Sequence, residues 1–146
     1  MIKLSTKGRY GVRIMLDLAL HFGQGAVFLK DIAQRQDISE KYLWQLIYSL
    51  KNAGLISSTR GAHGGYVLTK PPEEITLKEI VSVLEGPGCL VDCVRDSSAC
   101  KRSQECIARE MWEEVAKQLL QTLESFTLAK MVEKQNKKKD SIAYTI

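Results

Sequence analysis

The sequence predicts a mainly α fold: a winged helix-turn-helix with a small β-hairpin wing, extended by a long C-terminal dimerisation helix. Three observations carry this. Residues 1–54 hold three helical hydrophobic patterns separated by short breaks, two short strand-like runs then flank a glycine-rich turn, and a broad apolar stripe at helical spacing crosses residues 107–126. The 146 residues are 45% hydrophobic and 26% charged, which is ordinary globular composition and enough chain for one core without staples.

Ser5 and Thr6 open the first helix, with Tyr10, Ile14 and Leu18 on one line and Val12, Met15, Leu16, Ala19 and Leu20 filling the face. Gly23 and Gly25 stop it. Phe28 to Gln36 reads as a short helix with Leu29, Ile32 and Ala33 apolar, and Gln36-Asp37 as a tight turn. Ser39 is the N-cap of the third helix, with Ile38 and Leu43 in hydrophobic-staple positions. That helix should bury Leu43, Leu46, Ile47 and Leu50 and end at Gly54 in a left-handed cap.

Residues 55–59 and 66–69 read as strands, the turn between them running from Arg60 to Gly65. Pro71-Pro72 closes the unit, and Thr76 caps a helix with Leu77, Ile80, Val81 and Leu84 at helical spacing. Glu85 to Ser103 is a loop of Gly, Asp, Ser and Cys, of a length compact domains usually reserve for function. Ile107, Met111, Val115, Leu119, Leu123 and Phe126 then form the stripe. A second copy of the chain would cover it; folding back onto its own domain would cover part. The organisation is therefore residues 1–72 as the winged helix-turn-helix, 73–103 as a linking helix and cysteine-rich sensor loop, 104–135 as dimerisation helices and 136–146 as a basic tail.

Charge divides along the same line. Residues 1–70 carry ten Lys+Arg against four Asp+Glu, whereas residues 71–146 carry eleven against thirteen. A basic first half suggests double-stranded DNA as partner, with an assembly or control segment appended. The second helix of a helix-turn-helix enters the major groove N-terminal end first. Here that end presents Ser39, Glu40, Lys41, Trp44 and Gln45. Gln45 can read adenine, and Lys41 guanine or phosphate. Arg60, with small neighbours at the hairpin tip, suits a narrow minor groove. Lys7 and Arg9 are phosphate candidates on the first helix. Tyr42 and Trp44 have an alternative use in packing against that helix. A dimer would read a palindromic operator with half-sites about 34 Å apart.

Several classes fall away. The apolar stretch Ile14–Phe22 is short and contains Asp17 and His21, so it is neither a membrane span nor a signal-peptide core, and a cytoplasmic location is expected. Neither His21 nor His63 belongs to a catalytic constellation, and Gly61-x-x-Gly64-Gly65 lacks the Lys-Ser/Thr of a phosphate loop, so no enzyme is expected.

All four cysteines, Cys89, Cys93, Cys100 and Cys106, fall between residues 89 and 106. In a reducing compartment this points to a metal or redox site rather than a disulfide framework. Structural zinc favours close C-x2-C pairs, which are missing here; longer arms suit an iron–sulfur cluster. Redox-active free thiols remain an alternative. An iron–sulfur electron carrier, or a module docking an acidic protein, is the reading from another class; neither needs a hairpin wing.

Taken together, Leu4-Ser5-Thr6-Lys7-Gly8-Arg9-Tyr10-Gly11, Leu43 to Gly54, Arg60 to Tyr66 and Cys93-x6-Cys100-x5-Cys106 resemble the IscR-type regulators, a winged-helix family that also contains CymR and NsrR. The resemblance covers about residues 1–135. It implies a homodimeric bacterial repressor of cluster-assembly genes whose Cys93, Cys100 and Cys106 hold a 2Fe-2S cluster. Three departures stand out. Arg109 occupies the position of the family's histidine ligand, and a guanidinium has no lone pair for iron. The fourth ligand then falls to Cys89, to a carboxylate such as Glu85, Asp92 or Glu105, or to another segment. Trp44 stands where the family often has an acid that discriminates operators. The first cysteine gap is one residue longer than in IscR. CymR-like members lack the cluster, so a cluster rests on the cysteines, with a thiol- or zinc-based sensor of the same fold as the alternative.

Overall fold

The computed structural model describes residues 3–86 and 90–145. Helices α1 (Thr6–Leu20), α2 (Leu29–Gln36) and α3 (Glu40–Asn52) lead into a hairpin of β1 (Ile56–Thr59) and β2 (Gly65–Leu68). Helices α4 (Leu77–Glu85), α5 (Asp92–Arg95), α6 (Ile107–Ser125) and α7 (Leu128–Thr145) follow. The mainly α winged helix-turn-helix read from the sequence is the observed architecture.

Local chemistry sets the turn between α2 and α3. Asp37 adopts the left-handed conformation at φ 53°, which aspartate tolerates better than most residues, and the Ile38 amide closes onto the Ala33 carbonyl at 3.1 Å. The Ser39 hydroxyl then accepts from the Tyr42 amide at 3.1 Å, a cap contributing about 1 kcal/mol. At the far end Gly54 takes φ 80° as expected.

The strands pair antiparallel from Ile56↔Leu68 to Thr59↔Gly65, so the second strand begins one residue earlier than the pattern predicts. Gly65 pairs with Thr59, and on the other side of the strand Val27 exchanges two backbone hydrogen bonds with Tyr66 at 2.8 and 2.9 Å. Gly65 is required there: its φ is 141°, and a Cβ would lie 2.4 Å from the Val27 carbonyl oxygen.

One core joins both ends of the chain. Ile14, Met15 and Leu18 of α1 meet Ile32 of α2, Leu43, Leu46, Ile47 and Leu50 of α3, Ile56, Ile75, Ile80 of α4 and Leu128 of α7, all buried. Burying each such side chain contributes about 1.5–3 kcal/mol.

The C-terminal half departs from the sequence reading in three places. The loop from Glu85 to Ser103 contains α5 and a 3-10 turn over Ser97–Ala99. The stripe through Phe126 belongs to a helix that stops at Ser125, because the next residues pair with the segment before α4. Leu77 N–H donates to the Phe126 carbonyl at 2.8 Å and Leu128 N–H to the Ile75 carbonyl at 2.9 Å. Helix α7 continues to Thr145, taking in most of the segment set apart as a basic tail. Among the described residues, no helix is long and apolar enough to cross a membrane.

Candidate nucleic-acid interface and cysteine segment

Helix α3 has two opposed faces. Leu43, Leu46, Ile47 and Leu50 are buried, while Glu40, Lys41, Trp44, Gln45 and Tyr48 are exposed. Both sets recur at three- and four-residue spacing, as an amphipathic helix requires. Glu40 in the first turn and Lys51 in the last complement the helix dipole. Ser39 is spent on its own helix cap.

Lys7 is exposed on the first turn of α1 and lines, with Tyr42, Gln45, Ser49 and Leu84, a cleft between α1, α3 and α4. The fold thus brings Lys7 beside the exposed face of α3. Arg9 is exposed on α1 outside that cleft, and Arg60 is exposed where the wing turn begins. The wing is tied to α3 by Lys51, whose ammonium donates to the Ser58 hydroxyl at 2.8 Å.

The two aromatics with alternative uses separate cleanly. Tyr42 is half-buried and stands edge-on to Tyr10, ring centroids 5.9 Å apart, so it packs on α1. Trp44 does not: it stays 53% exposed and stacks on Tyr48 of its own helix. The sequence reading passed over Tyr48, although its place four residues after Trp44 puts both on one face.

It also passed over Asp17, the buried polar hub of the helix-turn-helix. Its carboxylate accepts from Arg35 at 2.7 and 2.9 Å and from the Gln36 amide at 2.9 Å, locking α2 to α1. This hydrogen bonding pushes the Arg35 guanidinium pKa further up.

In the second half, Cys93 lies in α5, Cys100 ends the 3-10 turn and Cys106 occupies the N-cap position of α6. All three are free thiols; Cys100 is exposed and the other two are half-buried. Cys89 lies outside the described residues. The buried Ser103 folds back on Cys100, its hydroxyl donating to the Cys100 carbonyl at 2.8 Å. Arg109, at the family's histidine position, donates from Nε to the Cys93 carbonyl at 2.9 Å and so latches α6 to α5. Of the candidate carboxylates, Glu85 is engaged by α1, Asp92 faces Arg95 at 3.6 Å, and Glu105 is exposed.

A 2Fe-2S cluster needs thiolates gathered at one place. Three accessible free thiols supply the right donor chemistry, but among the described residues no three His, Cys, Asp or Glu side chains converge to hold a metal ion. In this conformation the segment does not fit the cluster; residues 90–106 would have to rearrange.

The helix-turn-helix, its exposed basic and aromatic face and the hairpin define a winged-helix protein of the transcription-regulator class. The chain belongs to the Rrf2 family, described as iron-dependent transcriptional regulators, whose family model matches residues 4–134. It is 45% identical over 131 residues to the protein rrf2 of Nitratidesulfovibrio vulgaris, covering 90% of this chain and 87% of that one. The structure of CymR, the global cysteine regulator of B. subtilis, superposes with a TM-score of 0.76 at 44% identity, covering 91% of this chain and 98% of that chain. T. potens IscR superposes at 0.75, also with 44% identity, over 92% and 88% of the two chains.

Proposed function

We propose that this Rrf2-family regulator is a cytoplasmic homodimeric repressor that binds a palindromic operator and is switched through Cys93, Cys100 and Cys106. The observation that carries DNA binding is the solvent-facing side of α3, where Lys41, Trp44 and Gln45 stand clear of the core beside Lys7. In this reading the N-terminal turn of α3, from Ser39 to Lys41, meets phosphate and base edges, Gln45 reads adenine, Lys7 and Arg9 hold phosphates, and Arg60 enters the minor groove. Glu40 stabilises the N-terminus of α3. Dimerisation is supported by α6, which exposes Ile107, Met111, Trp112, Val115 and Leu119 along one side. Among the described residues, these side chains stay 39% to 66% exposed in the single chain.

For the switch, the first reading is a 2Fe-2S cluster, supported by three thiols within fourteen residues and by the family's iron-dependent description. Cys93, Cys100 and Cys106 would hold the cluster only after residues 90–106 rearrange, and the cluster would then supply sensitivity to iron and to redox state. In the described conformation Ser103 shapes the Cys100 turn and Arg109 ties α6 to α5, so both contacts lie in the segment that would have to move. The second reading, direct thiol oxidation, is supported by the exposed free thiol of Cys100 and by the likeness to CymR.

Anaerobic incubation with iron and sulfide separates the two. The cluster reading expects visible absorption that is lost in Cys93→Ser, Cys100→Ser and Cys106→Ser, and operator affinity that follows it. A colourless protein whose operator binding responds to peroxide supports the thiol reading. Insensitivity to both refutes the cysteine switch. Arg60→Ala should weaken duplex binding and lower the salt dependence by about one counterion.

A further inference from the structure

The exposed face of α3 carries a feature that helix-turn-helix chemistry alone does not require. Trp44 and Tyr48 stack with centroids 5.4 Å apart and planes 25° from parallel. Both are more than half exposed, at 53% and 54%. Two large aromatics stacked in solvent on such a face offer a binding surface, because covering them releases the water that hydrates their apolar area. The occupant is an anion-bearing surface: Lys41 is exposed one turn before the pair, Lys51 follows it and is tied to the wing, and Arg60 begins the wing turn. That setting matches the major groove of duplex DNA.

The chemistry of the pair restricts what it can read. The Trp44 indole offers one donor, Nε1–H, a flat apolar surface and no acceptor. It therefore cannot accept a hydrogen bond from the cytosine amino group. Among the four bases, only thymine presents a methyl group to the major groove, with the O4 acceptor next to it. An indole face on the methyl with Nε1–H near O4 satisfies both halves of the side chain. Gln45, adjacent on the same face, has the geometry for adenine. Tyr48 reduces the rotamer freedom that Trp44 would otherwise lose on binding.

We infer that Trp44 is a specificity-determining residue that selects thymine at one position of each half-site, and that Tyr48 is its positioning residue. The inference rests on the DNA-binding reading above. The test begins with selection of duplexes from a randomised pool by the full-length protein. Uracil then replaces thymine in the enriched duplex, which removes the 5-methyl group and nothing else. Binding is measured at low salt, where phosphate contacts keep weakened variants measurable.

Wild-type affinity is expected to fall about fourfold for one methyl, the equivalent of one buried methylene-sized group, and about fifteenfold when both half-sites are changed. Trp44→Ala should bind the thymine and uracil duplexes alike. Tyr48→Phe should retain the wild-type ratio, and Tyr48→Ala should reduce it. A wild-type ratio of one, or an unchanged ratio in Trp44→Ala, overturns the inference. Loss of discrimination in Tyr48→Phe as well as Tyr48→Ala overturns the positioning role. Failure of the wild-type protein to enrich any duplex refutes the DNA-binding reading itself, and that outcome is distinct from selection without thymine preference.

Discussion

The carboxylate of Glu85 caps helix α1 from seventy-seven residues away, accepting the Gly8 amide at 3.1 Å. The same oxygen accepts the Ser5 amide at 2.9 Å and the Ser5 hydroxyl. Ser5 occupies the N-cap position but makes no side-chain cap of its own, so the anion at the end of α4 does that work. Residues that touch DNA phosphate in the proposed function therefore begin on a helix whose start is held by the residue leading into the cysteine segment.

This contact predicts an energetic coupling between Gly8 and Glu85. A Cβ on Gly8 would lie 2.5 Å from the Glu85 oxygen, so Gly8→Ala should displace the carboxylate, and the lost cap of about 1 kcal/mol should cancel most or all of the gain in helix propensity. In a Glu85→Ala background the cap is already gone. The helix-propensity gain of about 0.5–1 kcal/mol then acts against no cap loss, with only the Leu4 side chain at 3.1 Å having to give way, so Gly8→Ala should be more favourable there than in the wild-type background. Urea denaturation of the four proteins measures the coupling; additive effects would dissolve the Glu85–Gly8 relationship.

Much of the N-terminal half is legible in the sequence because its signals are local. Ser39, Gly54 and the spacing of Leu43, Leu46, Ile47 and Leu50 each act within a few residues. The features that escaped are long-range. Glu85 reads as a loop carboxylate or ligand until the fold brings it to Gly8. Asp17 reads as a polar interruption of an apolar run until Arg35 arrives. The stop at Phe126 has no proline or glycine to announce it, since backbone pairing with Ile75 and Leu77 ends the helix. The cysteines were legible as a cluster in sequence; whether they gather in space depends on tertiary contacts such as Arg109 with Cys93.

The Asp17–Arg35 pair should be costly to break from either side. Asp17 is only 3% exposed, and if Arg35 is truncated its carboxylate keeps the Gln36 amide hydrogen bond and the His21 ring at 3.7 Å but loses its two strongest bonds. Arg35→Ala is expected to destabilise by about 2–3 kcal/mol, the scale of a hydrogen bond to a buried charge. Arg35→Lys should recover only part, since an ammonium cannot reproduce the two parallel bonds. Thermal unfolding of the three proteins is the measurement. An Arg35→Ala protein within 0.5 kcal/mol of wild type, roughly the scatter of surface substitutions, would show the network to be incidental.

The apolar side of α6 makes an oligomerisation prediction. Ile107, Met111 and Val115 are 66%, 55% and 45% exposed in the single chain. Val115→Glu would bury a charge in the proposed dimer while leaving the folded protomer untouched. Sedimentation should report a monomer with unchanged helical circular dichroism, and operator affinity should fall because two half-sites are no longer engaged together. A Val115→Glu protein that still sediments as a dimer would place the interface elsewhere.

Acid should loosen the segment between Cys93 and Cys100 through Asp96. Its carboxylate accepts from the Ser98 hydroxyl at 2.7 Å and the Ser98 amide at 2.9 Å. The hydroxyl bond first, then the amide bond, holds the Asp96 pKa below the usual carboxylate range, with a smaller contribution from Arg95. A depressed folded pKa means that the stabilisation is present above the ordinary aspartate pKa of about 3.9 and is lost as pH falls through the lower folded value. The Ser98 amide resonance should therefore titrate with a midpoint below that of an unstructured aspartate. Ser98→Ala removes the larger cause and should raise the midpoint towards the ordinary value, whereas Asp96→Asn should abolish the titration. A midpoint unmoved by Ser98→Ala would mean that the hydroxyl does not hold this turn, leaving the backbone amide and Arg95 to account for the shift.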